Sequence, residues 1–196
     1  MKQDRVVTIY MEANPNPNSL KFVLNFMLMP EGETMDFASQ EEAKETAPLA
    51  YQLFEKFGYV KRVFYMSNFI TVTKDESKEW AEVQHEVKNF IKEHLEAGEP
   101  AFVAKAVAEA KALEATGEET DIDRKIKDIL EEYIRPAVEQ DGGAITYHSF
   151  DEGVVKVLLQ GACSGCPSST ITLKAGIENL LKRMVPEVQS VEAEGV

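Results

Sequence analysis

"VVKVLLQGACSGCPSSTITLKAGIENLLKRM", Val154 to Met184, reads as three pieces joined without a break. "VVKVLL" is a β-branched and aliphatic run of strand length. "GACSGC" is made of small residues with two glycines, so the chain can turn sharply there. Pro167 with Ser168, Ser169 and Thr170 is a helix opening, because proline suits the first turn and a hydroxyl can accept an orphan backbone N–H. Leu173, Ile177, Leu180, Leu181 and Met184 then share one helical face until Pro186. Strand, cysteine loop and helix follow in that order.

Working upstream, "AITYHSF" reads as a partner strand joined through Asp151-Glu152-Gly153. Before it, Ile122, Ile126, Ile129, Leu130, Tyr133 and Ile134 repeat at helical spacing, from a cap at Thr120-Asp121 to a break at Asp141-Gly142-Gly143. "VQSVEA" supplies a last strand, so residues 120–196 read as αββαβ.

The amino-terminal part has a different rhythm. "RVVTIYM" and "SLKFVLNF" are strands separated by "EANPNPN", where two prolines rule out a continuous ladder. "PLAYQLFEKF" places Leu49, Leu53, Phe54 and Phe57 on one helical stripe that stops at Gly58. "YVKRVFYM" and "FITVTK" flank Ser67-Asn68 as a hairpin, and a helix follows from Trp80 through Leu95. The fold class is therefore α+β with two small domains: a ββαββα domain over residues 1–97 and the αββαβ domain over 120–196. The alanine-rich 98–119 segment between them reads as a semi-rigid helical connector.

The 196 residues carry Lys+Arg 21 against Asp+Glu 34, a net charge of −13, and no segment forms a basic patch. Such a chain repels phosphate backbones and anionic membranes, which argues against nucleic-acid and membrane partners. No stretch reaches the roughly 18 apolar residues of a membrane helix. The charged start "MKQDRVVTIYME" has no signal-like apolar run, which leads to the expectation of a cytoplasmic protein with reduced thiols.

Cys163 and Cys166 are the only cysteines. Their two-residue gap ahead of a helix amino terminus favours the thiolate, the species that binds soft metals. Structural zinc is usually four-coordinate and iron–sulfur clusters commonly use four thiolates, so one chain brings half a ligand set. A second copy or an external thiol must bring the rest, and a symmetric homodimer is the simplest arrangement. Of the three histidines, His85 and His94 lie half a turn out of phase on one helix and read as solvated surface residues; His148 reads as a surface or half-buried strand residue. Met27, Met29 and Met35 read as core filling.

Taken together, "IRPAVEQDGGAI" and "GVVKVLLQGACSGCPSSTITLKAGIENLLKRMVPEV" resemble the NifU-like carboxy-terminal domain of Nfu-type iron–sulfur cluster scaffold and carrier proteins. "NPNPNSLKFVLN", "TMDF", "APLA" and "VFYMSNFITVTK" resemble the amino-terminal domain that accompanies it. The resemblance implies a [4Fe–4S] cluster bridged between two subunits, with Cys163 and Cys166 as this chain's ligands, and delivery to apo iron–sulfur client proteins. A [2Fe–2S] cluster or zinc are the alternative occupants. Ala144 departs from the family, which often has an acidic residue after the two glycines; the departure bears on partner contacts. With no ligand set of its own, the amino-terminal domain is expected to dock clients or cluster-assembly factors.

Two rivals use the same thiols. A thiol-disulfide oxidoreductase also places Cys-x-x-Cys at a helix amino terminus, but the αββαβ order is expected to lack the βαβ context of that motif. A zinc-bridged structural dimer satisfies four thiolates equally well. None of the eleven glycines precedes a lysine, so a phosphate-binding loop is missing and no enzymatic turnover is expected.

Overall fold

The computed structural model describes residues 6–103, 120–164 and 167–195, with residues 167–170 and 195 described by their backbone alone. The chain forms two compact units, Met1–Thr116 and Gly117–Val196, and its fold class is α+β in both. The helical connector expected from the alanine-rich segment lies, from residue 104 on, outside the described residues.

The first unit contains β1 (Ile9–Ala13), β2 (Ser19–Leu24), β3 (Thr34–Phe37), α1 (Gln40–Ala43), α2 (Pro48–Lys56), β4 (Val60–Met66), β5 (Phe69–Lys74) and α3 (Trp80–Glu96). Its antiparallel sheet runs in the order β1-β2-β5-β4-β3. Alternate residues of the strands, among them Leu20, Phe22, Leu24, Val63, Tyr65, Ile70 and Val72, share one core with Leu49, Leu53, Val87 and Ile91 of the helices. The Asn-Pro-Asn-Pro-Asn loop solves its own hydrogen bonding. Asn14 Oδ1 accepts the Asn16 amide at 3.2 Å and Asn16 Oδ1 accepts the Asn18 amide at 3.0 Å, each reaching past a proline that has no N–H.

The expected ββαββα order omits two elements, β3 and α1. β3 is four residues long with a half-polar burial pattern, too short to stand out by periodicity. Tertiary contacts make it a strand: it pairs with β4, and Asp36 Oδ2 meets Arg62 Nη1 at 2.7 Å in a largely buried ion pair. Residues 98–103, placed with the connector by composition, are bonded into this unit. Leu49 N donates to Ala101 O at 3.4 Å and Val103 N to Thr46 O at 2.7 Å, while Ala101 and Phe102 join the core.

The second unit contains α4 (Asp121–Ile129), a π-helical turn (Leu130–Ile134), α5 (Arg135–Gln140), β6 (Gly143–Asp151), β7 (Val154–Gly161), α6 (Pro167–Met184) and β8 (Ser190–Gly195). Thr120 caps α4 reciprocally with Asp123: the Asp123 amide donates to Thr120 Oγ1 at 3.2 Å, and the Thr120 amide to Asp123 Oδ2 at 2.8 Å. The single helix expected up to Asp141 is opened by the π turn just before Pro136. Proline cannot donate to the preceding turn and its ring crowds that carbonyl, so the helix widens there. Ile126, Ile129 and Leu130 pack with Ile177 and Leu181 of α6 against Val155 and Val157 of β7.

The sheet order is β6-β7-β8. β6 and β7 form an antiparallel hairpin, with Glu152 and Gly153 both at positive φ in its turn. β7 and β8 are parallel, joined through α6. The cysteine loop therefore does lie inside a βαβ unit, contrary to the expectation from element order. The sequence shows the order of elements but not the direction in which the last strand docks, and a helical crossover is the connection that parallel neighbours require.

Candidate metal centre

β7 delivers the cysteine loop. Its side chains alternate in burial, with Val155, Val157 and Leu159 inward, until Gly161 at φ 64 turns the chain out of the ladder. Two backbone hydrogen bonds fix the next residues: Ala162 N donates to Gly142 O at 3.2 Å and Ser164 N to Gly161 O at 3.2 Å. Cys163 is thereby tucked against Val138 and Leu159, with Ile134, Ile145, Leu173 and Ala193 packed around that small cluster.

The small residues around Cys163 do not leave its thiol open on the surface. Cys163 is 4% exposed and Ala162 is buried as well. The cause lies across the sheet, at Gly143. A Cβ built there would sit 2.5 Å from Gln160 O, 2.9 Å from Cys163 Sγ and 3.2 Å from Cys163 Cβ. The missing side chain is what lets β6, β7 and the cysteine side chain close on one another. Cys166, and the hydroxyls expected to cap α6, lie outside the described residues and side chains. α6 itself begins at Pro167, so the loop does run into a helix amino terminus, where the dipole favours anions.

Asp141-Gly142-Gly143 was legible only as a helix break. Its role as a backing for the cysteine loop is a contact between distant parts of the chain, and the doubled glycine was its one sequence signal. Ala144, expected to bear on partner contacts, is buried in β6 opposite Gln160.

The other candidate ligands are dispersed. His85 and His148 are exposed, His148 at a bulge in β6. His94 is not the solvated surface residue expected, since it is only 5% exposed. Its Nε2 lies 3.0 Å from Pro100 O, and its Nδ1 lies 3.3 Å from both Gln52 Oε1 and Glu99 Oε2. His94 falls on the Val83, Val87, Ile91, Leu95 stripe, a spacing that marks it for burial. Met29 is buried and Met35 packs on the core, as expected; Met27 is 60% exposed. Among the described residues, no group of three or more His, Cys, Asp or Glu side chains is placed to hold a metal ion. Nor, among them, is any helix long and apolar enough to cross a membrane.

Comparison with known proteins addresses both units. The family model for the NifU-like domain matches residues 126–192, and that for the scaffold protein Nfu/NifU N terminal matches residues 9–98. A Drosophila willistoni protein named "NFU1 iron-sulfur cluster scaffold homolog, mitochondrial" is 42% identical over 96% of this chain, which spans 64% of that protein's length. Two Arabidopsis thaliana proteins, "NifU-like protein 4, mitochondrial" and "NifU-like protein 5, mitochondrial", are 41% and 40% identical over 98% and 99% of this chain and 68% and 70% of their own. These names overturn the cytoplasmic expectation. It rested on the charged start of the chain and the lack of a signal-like apolar run, which do not distinguish the cytosol from an organelle interior. Both domain models match in order, and relatives at 40–42% identity align along nearly the whole chain, so the protein belongs to the Nfu-type family of NifU-like proteins.

Proposed function

We propose that the protein is an iron–sulfur cluster scaffold and carrier, which takes a [4Fe–4S] cluster as cargo on Cys163 and Cys166 and hands it to apo-proteins. The observation that carries this reading is the donor count: two cysteines in all, at one strand-to-helix loop, in a chain whose relatives are named cluster scaffolds. Four thiolates bind such a cluster, so two chains meet as a homodimer and each contributes its pair. The opening of α6 suits the negative charge of the assembled centre. A centre held between two separable chains can be surrendered to a client, and the protein performs no turnover of its own. The first unit docks clients or assembly factors.

Anaerobic reconstitution with iron and sulfide, followed by iron counting and native mass measurement, tests the reading. About four irons per two chains are expected. About two irons per two chains would assign [2Fe–2S] cargo instead, and a colourless zinc-bearing dimer would replace the reading with structural zinc. Iron held by a single chain without added thiol would overturn the shared ligation.

One structural observation favours a second reading. The βαβ setting of the cysteine loop is the context in which Cys-x-x-Cys serves thiol-disulfide exchange. Burial of Cys163 works against it, because an exchanging thiol must reach a disulfide on another molecule. Catalytic reduction of insulin would establish this alternative.

A further inference from the structure

We infer that Gly143 is a positioning residue for Cys163: in the chain without cargo, the bare Cα of Gly143 forms a seat that shelters the thiol until the loop opens. The inference deepens the carrier reading, because it states how access to one of its ligands is controlled.

The seat is built from three sides. Gly143 provides one, since a Cβ there would fall 2.9 Å from Cys163 Sγ, closer than side-chain carbons approach other atoms. Val138 and Leu159 provide the apolar walls. The Ala162–Gly142 hydrogen bond holds the loop down on the glycine turn, where Gly142 is at φ 78. A methyl at position 143 would also meet Gln160 O at 2.5 Å. That oxygen belongs to a strand paired on both edges, with β6 and with β8, so it yields less readily than a side chain on a loop. Of the two neighbours only the Cys163 side chain can rotate away, so a methyl displaces the cysteine while its contact with Gln160 O strains the β6–β7 pairing.

Shelter has a chemical consequence. A ligand shared between two chains must present its sulfur at the surface where the chains meet, and a residue that is 4% exposed does not. Cargo binding at Cys163 is thus coupled to release of the Ala162–Ser164 turn, and the thiol of the empty chain is shielded from electrophiles and oxidants until then.

The test is alkylation by iodoacetamide, in which the sulfur forms an S–C bond and iodide leaves. Full-length Cys166→Ser protein keeps Cys163 as its single thiol. Its modification, followed by mass spectrometry, should be at least about tenfold slower in the native protein than in concentrated guanidinium chloride at the same pH. Equal rates would overturn the inference. In the Cys166→Ser background, Gly143→Ala should raise the native rate toward the denatured one while the far-ultraviolet circular dichroism is retained. A folded Gly143→Ala protein with unchanged protection would also overturn it. Should that variant fail to fold, the native-against-denatured comparison still decides. Failed reconstitution alongside full protection would remove the carrier reading and leave the seat; the converse pair of results would do the opposite.

Discussion

The two units bury different kinds of group. Among the described residues, the buried polar side chains Asn16, Ser19, Lys21, Thr71, Lys74 and His94 all belong to the first unit. The core of the second is aliphatic, drawn from Ile126, Ile129, Val155, Val157, Ile177, Leu181 and their neighbours, with the Cys163 thiol as its one reactive member. The first unit carries its chemistry as fixed internal hydrogen bonds and ion pairs, and a buried network of that kind specifies one geometry. The second is a plain apolar platform whose reactive group sits on a loop at its edge. On the function proposed above, a rigid docking surface and a releasable ligand place opposite demands on packing, and that reading assigns them to separate units.

That contrast can be broken most severely at the loop. Cys163→Ser should reduce iron retained after reconstitution to background and abolish cargo-dependent dimers, with the circular dichroism of both units unchanged; a brown dimer that survives would detach the thiol from the function. Next in size is the buried ion pair. Arg62→Ala leaves Asp36 enclosed without its guanidinium partner and should cost the first unit about 3–5 kcal/mol, seen in calorimetry as one transition moving alone. Movement of both transitions would show that the units do not unfold independently.

Ile177→Ala makes the reciprocal cut. Ile177 is fully buried where α6 meets α4 and β7, and its truncation should lower the second unit's stability by about 2–5 kcal/mol while leaving the first unit's transition in place. Thr120→Ala removes half of a reciprocal cap and should cost about 1 kcal/mol, measured by denaturant unfolding of the same unit.

The smallest effect is a pH dependence at that cap. Burial raises the Asp123 carboxyl pKa and is the largest single influence, but hydrogen bonds from Thr120 and Tyr147 and the charge of Lys127 together outweigh it, holding the group below its ordinary 3.8. Because the folded value is the lower one, this contribution to stability is full above the ordinary value and lost as pH falls through the folded one. Asp123→Asn should flatten the acid limb of the second unit's stability profile. An unchanged limb would assign the acid sensitivity to other carboxylates.

Much of the second unit was legible because its elements are periodic and well punctuated. Ile126, Ile129, Ile177 and Leu181 fall at helical spacing, and the Glu152-Gly153 turn is marked by its residues. β3 was not legible, since four half-polar residues carry no period and become a strand only through β4 and Arg62. His94 was misjudged for another reason: it was weighed only against His85 as a ligand partner, whereas its register with Val87 and Ile91 placed it inside.

By itself the sequence determined the candidate donors, two thiols separated by two residues at a strand-to-helix junction, because count and spacing are properties of the covalent chain. Tertiary structure alone decided that β8 lies parallel to β7, that the loop closes on Gly142 and Gly143, and that Cys163 points inward. Each of these outcomes depends on which distant backbones approach closely enough to share hydrogen bonds and exclude water, and residue order does not encode that distance locally.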